Sequence, residues 1–129
     1  MLKVIIWDLG GQIKMRNMWE KYYDDANAII FVVDSSDVSR LEEAKLAYGT
    51  TFTVTPLLSL SIFDLTNIFK EAILDHESVH DIPVIIFANK QDLPEALTPG
   101  DLAINFFSLQ DSADRSTIYP ISAISGFLN

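Results

Sequence analysis

Val84-Ile85-Ile86-Phe87-Ala88-Asn89-Lys90-Gln91-Asp92 decides how this chain folds. The apolar run over 84–88, with no polar residue to alternate against, reads as a strand buried on both faces, as in a parallel sheet. It stops abruptly at four polar residues, and ligands of open parallel sheets sit beyond the carboxyl ends of the strands. Working outward, runs of the same kind occur at 2–7, 28–33 and 118–121. Helical spacing fills the intervals. Residues 15–23 place Met15, Met18, Trp19 and Tyr22 on one face. Residues 39–47 follow Ser36-Asp37 and carry Leu41, Ala44 and Ala47 on one stripe. Thr66-Asn67 can cap a helix over 68–74 that buries Phe69, Ala72 and Ile73. Thr98-Pro99 opens another, with Asp101 in its first turn and Leu102, Phe106 and Phe107 offered to the core. Strands alternating with helices predict βαβ units and an α/β fold around a mostly parallel sheet.

At 129 residues the chain is one domain's worth, 1–129. Residues 49–65 break the rhythm: an alternating stretch, then Pro56, then a second apolar run. If the residues between Ala47 and Phe69 are skipped, the apolar stripes on either side join at helical spacing, so 49–65 is read as an irregular insertion. The uncharged stretch 46–63 is diluted by glycine, threonine, serine and proline, which argues against a membrane span.

Composition narrows the function. With 18 Asp plus Glu against 9 Lys plus Arg the net charge is −9, the wrong sign for a general nucleic-acid binder. No cysteine is present, so disulfides and thiolate-held metal clusters are excluded. His76-Glu77-Ser78-Val79-His80 matches the zinc-protease pattern H-E-x-x-H, but Pro83 follows closely and no third ligand stands nearby; the reading is a solvated helix end.

Three strand ends carry chemistry. The first reads Trp7-Asp8-Leu9-Gly10-Gly11-Gln12. A lone aspartate there suits a hydrated Mg²⁺, which keeps its waters and takes few protein carboxylates. The glycine pair lets a backbone N–H approach a phosphate, and Gln12 would orient an attacking water. Taken alone, the same stretch also reads as an ordinary turn. Asn89-Lys90-Gln91-Asp92 is sharper. A carboxylate accepts both N–H bonds of guanine's N1 and exocyclic amine, a donor pair adenine lacks. Asn89 can tie loops together while the Lys90 stem covers a ring, and a backbone N–H at Ala123 can meet a base carbonyl. The third end is Ser122-Ala123-Ile124-Ser125-Gly126.

On these motifs, together with Trp19-Glu20-Lys21-Tyr22-Tyr23 and Phe31-Val32-Val33-Asp34-Ser35-Ser36-Asp37, the chain resembles the Arf-type small GTPases. The likeness covers nearly everything outside 49–65. It implies a three-layer fold of the P-loop NTPase kind and a GTP/GDP switch in vesicle and Golgi traffic, in the cytoplasm and on the Golgi. By resemblance Asp8 would sit near Mg²⁺ through water, the Gly11 backbone would meet the γ-phosphate, and Gln12 would position the hydrolytic water. Asn89, Lys90 and Asp92 would recognise guanine, supported by Ser122 and Ala123. Residues 10–23 would form the second switch, read by effector and regulator proteins.

The chain omits parts that the resemblance leads one to expect. No G-x-x-x-x-G-K-[S/T] occurs, since none of the five glycines precedes a lysine. That loop would clamp the β- and γ-phosphates. The family's first switch, N-terminal membrane-binding helix and last helix also have no counterpart here, so an incomplete domain with weak guanine recognition and negligible hydrolysis is expected. In the family the phosphate-loop strand lies between the strands matching 2–7 and 28–33; without it these two must pair directly or leave a gap. Two alternatives stand beside the switch: a nucleotide-independent interaction fragment presenting residues 10–23, and a receiver-like phosphoacceptor domain suggested by Asp8, Asp34 and Lys90.

Overall fold

A β-branched run becomes a strand only where a neighbour completes its ladder, and three of the four predicted runs find one. In the computed structural model, which describes residues 2–48, 77–79, 81–106 and 116–128, the strands are β1 (Ile29–Asp34), β2 (Val84–Asn89) and β3 (Ser116–Ser122), with a short β4 (Phe127–Leu128). Their spatial order is β1-β2-β3-β4. β1 and β2 run parallel in the register Ile29↔Val84 to Asp34↔Asn89, and β2 and β3 run parallel from Val84↔Ser116 to Ala88↔Pro120. β4 returns antiparallel, with Ile121 opposite Leu128 and Ser122 opposite Phe127. Gly126, at φ +69, makes that reversal, a backbone position that disfavours any side chain. The predicted α/β class and mostly parallel sheet hold.

Helices α1 (Ile13–Arg16), α2 (Glu20–Tyr23), α3 (Leu41–Tyr48) and α4 (Pro99–Phe106) supply the rest, with single 3₁₀ turns at Val38–Arg40 and Glu77–Val79. The core gathers on one face of the sheet. Val33, Val84, Ile86 and Ala88 meet Leu41, Ala47, Tyr48, Val79 and Leu102, with Trp19 and Tyr23 in the same cluster. The stripe expected over 39–47 and the anchor Leu102 are therefore found as read. At α4, Thr98 Oγ1 accepts from Asp101 N at 3.2 Å and donates to Asp101 Oδ2 at 2.7 Å, a reciprocal cap that fixes the helix start.

Three expectations are corrected. First, residues 2–7 form no strand: Leu2, Val4, Ile5 and Ile6 stay exposed, and no described strand lies beyond β1 on that side. Direct pairing of 2–7 with β1 does not occur, and a hydrophobic run without a ladder partner has nothing to make it a strand. Second, β1 and β3 expose side chains on the other face of the sheet, where Ile85 and Phe87 of β2 are half-buried. Ile30 and Val32 are 55% and 56% exposed, and Tyr119 in register beyond Phe87 is 44% exposed. Every described helix that buries side chains does so on the opposite face. Third, 15–23 is not one helix: Trp19 is inward as read and Tyr22 half-buried, but Met15 and Met18 are not. It breaks after Arg16, and the buried positions are Arg16, Trp19 and Tyr23, while Met15 and Met18 face outward. The proposed insertion at 49–65, the helix over 68–74, Phe107, and both His76 and His80 lie outside the described residues. Among the described residues no helix is long and apolar enough to cross a membrane.

Candidate functional site

The parallel register brings the carboxyl ends of β1, β2 and β3 to one edge, and the loops leaving them are laced together. Ser35 N donates to Asn89 O at 3.1 Å, and Gln91 N donates to Ile121 O at 3.1 Å. The Gln91 side chain donates to Leu97 O at 2.9 Å, and Leu97 N donates to Ser35 O at 2.9 Å. The 89–93 loop is thereby tied to both neighbouring strand ends through backbone groups, which position regardless of side chain. Lys90 sits inside this turn at φ +69, the left-handed region that few non-glycine residues occupy, and Leu93 N closes the turn onto Lys90 O at 3.0 Å.

Side chains then lock the third loop onto the second. Ser122 Oγ donates to Asp92 Oδ1 at 2.5 Å, and Ala123 N donates to Asn89 Oδ1 at 3.0 Å. Ser125 N donates to Ser122 Oγ at 3.2 Å. Ser122 is buried, whereas Asp92 and Ala123 are exposed. Asn89, Asp92, Ser122 and Ala123, far apart in sequence, are thus one hydrogen-bonded cluster. The Ala123 N–H, expected to meet a base carbonyl, donates here to Asn89; the loop-tying role read for Asn89 is the one observed. An ionised carboxylate offers about four acceptor positions, so Asp92 keeps room for a pair of donors beyond Ser122.

Lys90 Nζ lies 2.6 Å from Asp34 Oδ2. Partial burial pushes the Asp34 carboxyl up, but hydrogen bonds from Lys90 and Ser36 outweigh it and hold the group below its ordinary range. The same hydrogen bond, donated to Asp34, raises Lys90. Both groups stay charged across the neutral range.

The stretch with Asp8, Gly11 and Gln12 is held differently. Trp19 Nε1 donates to Gly10 O at 3.1 Å and Arg16 Nε to Gly11 O at 3.1 Å. Arg16 also pairs with Glu43 of α3 and lies 5.9 Å over the Trp19 ring. Trp7 packs on Tyr22 at 5.6 Å between centroids. Gln12 serves α1 only by its backbone, with Met15 N donating to Gln12 O at 2.7 Å and no side-chain cap. Asp8, Gly11 and Gln12 are all exposed. Among the described residues a Cβ added at Gly11 would meet nothing within 4 Å, so the space beside it is open. Among the described residues no group of three His, Cys, Asp or Glu converges for a metal ion. A Mg²⁺ ion held through water takes few protein carboxylates, and Asp8 stands exposed. Sequence reasoning missed Arg16: a lone arginine between outward-facing residues gives no signal until Glu43 and the Gly11 carbonyl are brought to it.

The ADP-ribosylation factor family matches residues 1–53. ADP-ribosylation factor-like protein 3 of Saccharomyces cerevisiae is 33% identical over 122 residues, covering 93% of this chain and 50% of that protein. ADP-ribosylation factor-related protein 1 of Rattus norvegicus is 30% identical over 104 residues, covering 81% of this chain and 41% of that protein. In structure the chain is similar to the Arl6 BBS3 small GTPase of Trypanosoma brucei, solved with the bound nucleotide analogue GppNp. The TM-score is 0.64 at 29% identity, over 92% of this chain and 61% of that one. The chain spans about half the length of the curated relatives it matches.

Proposed function

Because this chain belongs to the ADP-ribosylation factor family of small GTPases, we propose that it carries the base-reading half of a guanine-nucleotide switch. The observation behind this is the cluster of Asn89, Asp92, Ser122 and Ala123, held at one sheet edge by bonds of 2.5 and 3.0 Å. In this reading the Asp92 carboxylate takes guanine's two adjacent N–H donors. Asn89 and Ala123 join the loops, Ser122 orients Asp92, and the Lys90 stem covers the ring. Gly11 and Gln12 would face the γ-phosphate and the attacking water, and Asp8 the Mg²⁺, once the missing phosphate-clamping motif is supplied. Bound GTP would contribute a transferable γ-phosphoryl group. By this chain alone, recognition is weak and hydrolysis negligible, since charged phosphate contacts are the strong ones. Effector and regulator proteins would read residues 10–23, and the setting is vesicle and Golgi traffic in the cytoplasm.

A second reading keeps the fragment but drops the nucleotide. Ile13, Met15 and Met18 are 61%, 37% and 38% exposed, an apolar surface that a partner protein can bind without GTP. The relatives lend nothing to the phosphoacceptor alternative. Ligand-observed NMR with guanosine and adenosine tests the primary reading. Guanosine binds preferentially, and Asp92→Ala lowers its affinity roughly 10- to 100-fold, the worth of hydrogen bonds to a charged group. Equal binding of the two nucleosides defeats it.

A further inference from the structure

The last residue of β1 carries a carboxylate to which the reading above gives no role. Asp34 pairs in register with Asn89, so the sheet sets it beside the base-reading turn. Its Oδ1 accepts from Ser36 N at 3.0 Å and from Ser36 Oγ at 2.7 Å, which fixes the rotamer. Its Oδ2 lies 2.6 Å from Lys90 Nζ. Lys90 enters this pair from a left-handed backbone at φ +69, so both ends of the side chain, backbone and ammonium, are defined. The surrounding charges are balanced: Asp37 favours the Lys90 ammonium, Arg40 opposes it, and these two bond each other through Arg40 Nε and Asp37 Oδ2 at 2.7 Å.

We infer that Asp34 is a positioning residue for guanine recognition, holding the Lys90 ammonium so that the lysine stem is set in place before a purine arrives. The inference rests on the guanine reading of this edge. An exposed ion pair by itself contributes little. What distinguishes this one is that Ser36 has already immobilised the acid, so Lys90 is tethered to a fixed point. A lysine that is ordered in advance loses less rotamer freedom when a ring stacks on its stem. The expected effect is that of one long side chain left unordered, roughly 3- to 10-fold in affinity.

The test is a mutant cycle on the full 129-residue chain, with guanosine as the probe and ligand-observed NMR as the readout. Asp34→Asn keeps an oxygen for Ser36 and removes only the charge. It weakens guanosine roughly 3- to 10-fold, Asp34→Glu recovers most of the loss, and Asp34→Asn adds nothing when Lys90→Met is already present. An equal loss in both backgrounds means that Asp34 acts on the fold and overturns the inference, as does no loss at all. If Asp34→Asn does not fold, Lys90→Met decides: unchanged guanosine affinity overturns the inference. A chain that binds guanosine no better than adenosine fails before any variant is made, and that outcome removes the guanine reading itself.

Discussion

The loops at 89–93 and 122–126 and the segment at 2–12 carry equally suggestive motifs, yet they are held in opposite ways. The first pair leaves paired strands, and its polar side chains bond one another across the edge: Ser122 to Asp92 and Ala123 to Asn89. The second leaves no strand. Leu2, Val4, Ile5 and Ile6 face outward, and the segment is tied down near its end, by Trp19 and Arg16 on the glycine carbonyls, by Trp7 on Tyr22 and by Leu9 against the core. A ligand site is inherited from the sheet edge that builds it. Where the ladder is complete the polar side chains are tied to one another; where it is absent Asp8 and Gln12 stand exposed.

The contrast breaks most readily in the core. Ile86 is fully buried in the central strand, so Ile86→Ala lowers the unfolding free energy by about 2–5 kcal/mol in denaturant titration. Ile5 is 59% exposed, and Ile5→Ala changes it by less than about 0.5 kcal/mol. Comparable losses at the two positions mean that 2–7 is packed and the contrast is false.

A smaller effect sharpens it. Trp19→Phe keeps a buried aromatic ring but deletes the donor to Gly10 O and trims the core, costing about 1–3 kcal/mol. Amide exchange rises over residues 9–12 and stays unchanged over 89–93. A rise in both loops places them in one cooperative unit instead.

A separate effect is confined to alkaline pH. Burial, with help from Glu20, pushes the Tyr23 hydroxyl up to about 12. The folded state therefore keeps a proton that the unfolded chain releases near 10. This contribution is complete below pH 10 and is lost as pH rises toward 12. The melting temperature falls over that window by a few degrees more than in Tyr23→Phe. Matching curves for the two proteins refute it.

Particular residues mark how far the sequence could be read. Leu41, Ala44 and Ala47, Leu102, and three of the four strands follow from spacing, because a helical or strand period shows which side chains share a face. Asn89-Lys90-Gln91-Asp92 at a strand end was legible for the same reason. The run at 2–7 misled because hydrophobicity records a wish for burial and carries no information on whether a partner strand is there. Met15 and Met18 misled because the helix breaks after Arg16, whose burial depends on Glu43 in a distant helix. The bare second face of β1 was hidden too: an apolar run reads alike whether one side or both is covered.

The amino-acid order by itself determined the α/β class, the order of the motifs and the residue types that stand at the strand ends. Only the tertiary structure decided which motifs meet. Parallel pairing sets strand ends side by side through backbone bonds indifferent to side-chain identity, and so it could join Asn89 to Ala123 and Asp34 to Lys90 while leaving Asp8 and Gln12 exposed.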